Sequence, residues 1–164
     1  MSAAAAARAV LDDVVDPEIP VLTIADLGIL RDVVLGPAGA VEVTITPTYS
    51  GCPAMAEIRA DIVSALNAAG YPDADVRTVL APAWTTDWLT AEGRRKLVDY
   101  GIALPGPRLE GPVPVGIGRR PEVPPCPRCG SAQTRQTSRF GSTACKSMHV
   151  CAACAEPFDA LKAF

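Results

Sequence analysis

Two Cys-x-x-Cys pairs near the end of the chain constrain its fold more than any other feature. Cys126-Pro-Arg-Cys129 and Cys151-Ala-Ala-Cys154 have 21 residues between them. Each pair lets one tight turn aim two sulfurs at a common point, and two such turns close a tetrahedron around one metal ion. Residues 126–164 are too few to build a sufficient core, so a metal there would be what folds them. Gly130, just after the first pair, suits the left-handed residue such a turn needs. Gln133 to Arg139, polar and Thr-containing, reads as an exposed hairpin. The pattern predicts a zinc-ribbon-like module ligated by Cys126, Cys129, Cys151 and Cys154, although the gap between the pairs slightly exceeds the usual range. Zinc is the expected ion, and a mononuclear iron or an iron–sulfur cluster would use the same four thiolates. A thioredoxin-like redox pair would instead need a single pair in a βαβ setting. Cys145 and His149 lie between the pairs. His149 reads as a packing or surface residue, and Cys145 as either a small buried residue or an extra ligand.

Composition bounds the rest. The 164 residues suffice for one ordinary domain or two small ones, and 49% apolar with 20% charged residues is a globular balance. Aromatics make up only 5%, so Ala, Val, Leu and Ile must supply the core. Residues 1–104 carry seven Lys/Arg against fourteen Asp/Glu, whereas residues 126–164 carry five against two. Two units with different partners, or two that face each other, fit this asymmetry. The overall charge of −3 argues against a nucleic-acid binder. No apolar run approaches the roughly 20 residues of a membrane span, and the N-terminus lacks a signal-peptide layout. A cytoplasmic location is the expectation, and there paired cysteines serve as metal ligands or redox groups rather than disulfides.

Residues 3 to about 15 read as a helix stopped by Asp16-Pro17. Leu27–Leu35 and Val41–Thr46 read as strands joined by a turn at Gly36–Gly39. A helix is expected over Pro53–Ala69 and ended by Gly70, with Ile58, Ile62 and Leu66 on its apolar side. A third strand over Val76–Ala81 and an amphipathic helix over Thr85–Gly101, with Leu97 and Val98 among its contacts, complete the unit. The order α-β-β-α-β-α predicts an α+β fold with a small mixed sheet and helices on one face. Residues 103–125 hold seven Pro and four Gly, which reads as a linker over 105–125 between a domain at 1–104 and the ribbon at 126–164.

The first unit has one cysteine, Cys52, in Thr48-Tyr49-Ser50-Gly51-Cys52-Pro53. With Pro53 in the first helical turn, Cys52 would be the N-cap, where the helix dipole and free amides lower a thiol pKa. Such a thiolate can be a nucleophile or a soft-metal ligand, and the alternative is a merely buried cysteine in a helix cap. His149 is the chain's one histidine, so a Cys–His catalytic pair is not expected in this unit. Asp16 and Glu18 flank Pro17 on a rigid turn and could ligate a metal or cap the chain reversal. Asp26 reads as a turn residue, and Trp84 and Trp88 as packing.

Asp16-Pro17-Glu18-Ile19-Pro20, Asp26-Leu27-Gly28-Ile29 and Thr48-Tyr49-Ser50-Gly51-Cys52-Pro53 resemble the MIP18-like (DUF59) family of iron–sulfur assembly proteins. Together with Gly141-Ser-Thr-Ala-Cys145-Lys146 and the two cysteine pairs, nearly the whole chain looks like the D-subunit family of phenylacetyl-CoA epoxidase systems. That resemblance implies a non-catalytic accessory of phenylacetate degradation. Its partners would be a diiron oxygenase, an iron–sulfur reductase component and iron–sulfur assembly machinery. It also implies that Cys52 is the reactive group and that Asp16 and Glu18 belong to the same site. The alternative function is a zinc-ribbon adaptor that stabilises the oxygenase complex without metal transfer.

Overall fold

The computed structural model describes residues 3–105 and 123–163. The chain divides into two compact units, Met1–Lys96 and Leu97–Phe164. Most of the expected linker, 106–122, lies outside the described residues. The α+β class and the element order of the first unit are as expected.

In the first unit, helix α1 spans Ala3–Leu11 and buries Ala7 and Leu11, one turn apart. It ends four residues earlier than its apolar pattern suggests. Val15 bridges Thr23 in extended form, and the Ile24 amide donates to the Val14 carbonyl at 2.9 Å. Those β-branched residues gain more from pairing with the returning chain than from another helical turn.

Strand β1 covers Leu30–Leu35 and β2 covers Val41–Ile45, joined by a 3₁₀ turn at Pro37–Gly39. They pair antiparallel, with a register shift between Leu30 and Asp32. The extra residue lets Leu30 and Val33, three apart, both face the core. In β2 the alternation is regular: Val41, Val43 and Ile45 are buried while Glu42 and Thr44 are half-buried. Helix α2, Met55–Ala68, buries Ile58, Ile62 and Leu66 at four-residue spacing. Gly70 at φ +89° ends it, and the Tyr71 amide reaches back to the Leu66 carbonyl. The chain returns as β3, Ala74–Thr78, parallel to β2, so the sheet is mixed, in the order β1-β2-β3. β3 starts and ends earlier than the expected 76–81 strand.

The expected helix over 85–101 is two elements. Thr85 accepts a hydrogen bond from the Asp87 amide and caps a 3₁₀ turn at Thr86–Trp88. Thr90 accepts one from the Gly93 amide at 2.9 Å and starts helix α3, Ala91–Tyr100. Two threonine caps five residues apart break what one amphipathic helix would have joined. Val98, an expected core contact, is 40% exposed.

Asp26 is more than a turn residue. Its carboxylate accepts from the Thr23 amide, the Thr90 hydroxyl and, at 2.7 Å, the Lys96 ammonium. Its carbonyl accepts the Thr90 amide, and Gly93 leaves room for that approach, since a Cβ there would lie 2.9 Å from the Asp26 carbonyl oxygen. One buried carboxylate thus ties the 23–28 turn to the start of α3. Gly28, at φ +70°, sits against the Trp88 backbone, and Trp84 donates its indole N–H to the Leu27 carbonyl at 2.8 Å.

In the second unit, β4 (Thr134–Ser138), β5 (Lys146–Cys151) and β6 (Pro157–Leu161) form an antiparallel sheet in that order. One buried apolar cluster in it is Ala103, Cys126, Cys151, Phe158 and Ala160, and Leu161 and Cys145 are buried as well. Among the described residues, no helix is long and apolar enough to cross a membrane.

Two outcomes follow for the first unit. Burial raises the Asp26 pKa, but Lys96, the Thr23 amide and Thr90 outweigh it and hold the carboxyl below 3.8. A depressed carboxyl stabilises the fold above its unfolded value and loses that contribution as pH falls through the folded one. Asp26→Asn should therefore cost about 1–3 kcal/mol at pH 7, with the gap to wild type closing below roughly pH 4 in thermal melts. Gly28→Ala should cost about 2 kcal/mol or more, because a Cβ would meet the Trp88 carbonyl oxygen at 2.6 Å from a left-handed backbone. An unchanged melting temperature would refute that packing.

Candidate metal centre and thiol site

The ribbon brings its four sulfurs together as the spacing requires. Cys126, Cys129, Cys151 and Cys154 place their Sγ atoms within 4.8 Å of one another. The Cys126–Cys154 and Cys129–Cys151 separations are 3.8 Å and 3.6 Å. A tetrahedral ion with metal–sulfur bonds of about 2.3 Å holds its ligands about 3.8 Å apart, so these two separations fit a tetrahedral zinc or iron ion. In each pair the first cysteine is buried and the second exposed.

The two turns have matching backbones. The Cys126 amide donates to the Ser131 carbonyl and the Cys151 amide to the Glu156 carbonyl, each five residues ahead and each at 2.9 Å. The residue after the second cysteine is left-handed in both: Gly130 at φ +72° and Ala155 at φ +61°. Gly130 was legible from its side chain, or lack of one. Ala155 was not, because alanine pays a penalty there that the cysteine turn before it must impose.

Backbone amides point at the sulfurs. Those of Cys154 and Ala153 help bring the Cys151 thiol down to about 7. The Glu156 amide favours the Cys154 thiolate, but Cys129, desolvation, Cys151 and Cys126 together push it up to about 12. Four thiols this close share their charge unequally without a cation, and a divalent ion removes that conflict.

Cys145 is buried outside this group of four, sharing a 3.0 Å hydrogen bond with the Thr143 hydroxyl. His149 is a packing residue, 4% exposed and stacked on Phe158 with ring centroids 5.4 Å apart. Its Nε2 meets the Ser147 hydroxyl at 2.9 Å.

The first unit assembles a different set. Asp16 is buried, and its Oδ1 accepts the amides of Glu18 and Ile19 at 2.9 Å and 2.7 Å. This Asx-type turn holds the Asp16-Pro17-Glu18 segment rigid. Cys52, half-buried, lies close enough for the charges of Glu18 and Asp16 to act on its thiol. The structure corrects one expectation about it. α2 begins at Met55 with Ala54 as its N-cap residue, so Cys52 precedes the helix rather than capping it. Its thiol is pushed up, first by burial and then by the two carboxylates, against the Ala54 amide and a Tyr49 hydrogen bond. Removed from the helix end, the sulfur gains one amide instead of a helix terminus. Tyr49 lies within the Thr48–Pro53 motif, but no role had been assigned to it.

Comparisons with known proteins agree with both units. Residues 4–81 match the family described as iron–sulfur cluster assembly protein, and residues 110–162 match the PaaD zinc β-ribbon domain. A crystal structure of a DUF59 domain from Bacillus anthracis is similar at 27% identity with a TM-score of 0.54, covering 57% of this chain and 90% of that one. An Fe-S protein maturation auxiliary factor from Porphyromonas gingivalis is 34% identical over 88 residues, 53% of this chain and 83% of that one. A relative from Escherichia coli, named for the D component of 1,2-phenylacetyl-CoA epoxidase, is 46% identical over 157 residues, 94% of this chain and 89% of that one. A likeness that spans both units in the same order, cysteine ribbon included, places this chain in the PaaD family, the D-subunit family of phenylacetyl-CoA epoxidase.

Proposed function

We propose that this protein is an accessory factor that assembles or delivers an iron or iron–sulfur centre for a phenylacetyl-CoA epoxidase, and is not itself the oxygenase. The observation that carries this reading is the match of residues 4–81 to an iron–sulfur cluster assembly family, in the unit where Asp16 and Glu18 lie near enough for their charge to act on the Cys52 thiol. Burial and two nearby carboxylates keep that thiol protonated until a cation arrives. A metal cargo turns the same carboxylates from repelling neighbours into partners. Cys52 then serves as a transient soft ligand, and Asp16 and Glu18 line the site with hard ones. The clients are the oxygenase and the iron–sulfur reductase component, with cellular iron–sulfur assembly machinery upstream, all in the cytoplasm.

The ribbon has a different task in this reading. Zinc at Cys126, Cys129, Cys151 and Cys154 supplies structure, since a four-sulfur tetrahedron leaves no open position for chemistry. The net positive ribbon is the surface that docks a client.

A second reading has an observation of its own. The relative from Escherichia coli is named as a subunit, which favours a lasting adaptor that stabilises the complex without transferring metal. Stoichiometry separates the two: an adaptor co-purifies with the oxygenase at fixed ratio, and a maturation factor is absent from the mature enzyme.

Cys52→Ser should lower the iron content and activity of the client complex in cells while leaving its protein level unchanged. Full metal loading of the client in that variant would sink the transfer role. Metal analysis of the purified protein should return one zinc per chain and a colourless solution. Stripping it with a strong chelator should unfold the ribbon and spare the first unit, read as selective loss of ribbon amide signals by NMR. A brown protein containing iron would replace zinc with the iron alternative.

A further inference from the structure

Burial divides the four ribbon sulfurs into two kinds. Cys126 and Cys151 are 2% and 1% exposed and belong to the cluster with Ala103, Phe158 and Ala160, whereas Cys129 and Cys154 are open to solvent. Each open sulfur lies against the buried sulfur of the other turn. Cys129 meets Cys151 at 3.6 Å, and Cys154 meets Cys126 at 3.8 Å. The Arg128 guanidinium and the Glu156 carboxylate, 3.1 Å apart, tie the two turns together.

Four sulfurs saturate a tetrahedral ion, so chemistry reaches such a centre at a sulfur. Oxidation follows thiolate character and exposure. Cys129 and Cys154 combine the two, and Cys126 and Cys151 lack the exposure. Hydrogen peroxide is an oxidant small enough to reach them. When an open thiolate attacks it, an S–O bond forms, the O–O bond breaks and hydroxide leaves, which gives a sulfenic acid. The buried thiolate of the other turn then attacks that sulfur, an S–S bond forms and a second hydroxide leaves. Repeated at both open sulfurs, this turns four thiolates and two peroxides into two disulfides and four hydroxides. The ion, left without anionic ligands, departs. An S–S bond is about 2.05 Å long, so each cross-turn contact has to close by less than about 2 Å. Bonds across the turns, unlike bonds within a pair, span the 21 residues between the pairs and keep both turns joined after the ion has gone.

We propose that the ribbon is a peroxide-reactive modification site: Cys129 and Cys154 take the oxidant, Cys151 and Cys126 resolve it, and the ribbon exchanges its metal for two cross-turn disulfides. Cellular thiols reverse the exchange. This rests on metal at the four sulfurs and is independent of the role of Cys52.

Hydrogen peroxide added to the zinc-loaded full chain tests it. Zinc release is followed with a coloured indicator, sulfenic acid by dimedone trapping, and disulfides by mass spectrometry of unreduced peptides. One zinc should leave for about two peroxides consumed. Dimedone should mark Cys129 and Cys154 about tenfold or more over Cys126 and Cys151 at early times. Peptide mapping should return Cys129–Cys151 and Cys126–Cys154. Ribbon amide signals should survive by NMR, in contrast to chelation, and a dithiol should restore zinc binding. Bonds within either pair, bonds to Cys52 or Cys145, zinc kept through excess peroxide, or a chain that takes up no zinc would each overturn the proposal. The cellular Cys52→Ser experiment reads the transfer role separately.

Discussion

Four sulfur atoms within 4.8 Å of one another are the constraint on which the second unit depends. Its three short strands bury few large side chains, Phe158, Leu161, His149 and Lys146 among them, and two of the five residues in one core cluster are cysteines of that group. Both cysteine turns repeat one backbone arrangement, including a left-handed residue that is glycine in one and alanine in the other. A repeated and partly strained geometry persists when something over-determines it. Here that is the requirement that four sulfurs meet at one point. A metal held by those sulfurs would supply the folding energy that so small a unit lacks.

The first unit organises its loops with buried carboxylates. Asp16 closes one turn through the amides of Glu18 and Ile19, and Asp26 closes another while reaching across to Thr90 and Lys96. Each carboxylate offers several acceptor sites to donors that irregular backbone would otherwise leave unsatisfied. Around Cys52 the same residue type has the opposite effect. There burial and the charge of Glu18 and Asp16 favour the neutral thiol. Asp26 has Lys96 as its counter-charge, whereas the charged groups that act on Cys52 are two carboxylates.

Much of this was legible in particular residues. Ile58, Ile62 and Leu66 announced α2, alternation announced β2, and the cysteine spacing announced the ribbon with Gly130 at its turn. The element boundaries were less legible because they depend on partners far along the chain. Val14 and Val15 continue a helical pattern, yet the pull of Thr23 and Ile24 draws them into extended form. Thr90 reads as one polar residue in an amphipathic run, yet it caps a new helix with Asp26, 64 residues away, against its hydroxyl.

The sequence by itself determined which residues can bind metal and how many sulfurs a single ion would find, because ligand type and short-range spacing are local properties. It determined the order of helices and strands for the same reason, since periodicity is written within each segment. Only the tertiary structure decided the electrostatic state of Cys52. A two-residue delay in the start of α2 took it off the helix terminus, and a turn more than thirty residues upstream brought Asp16 and Glu18 to bear on it. A pKa is set by every charge and donor within reach, and what lies within reach is decided by the fold.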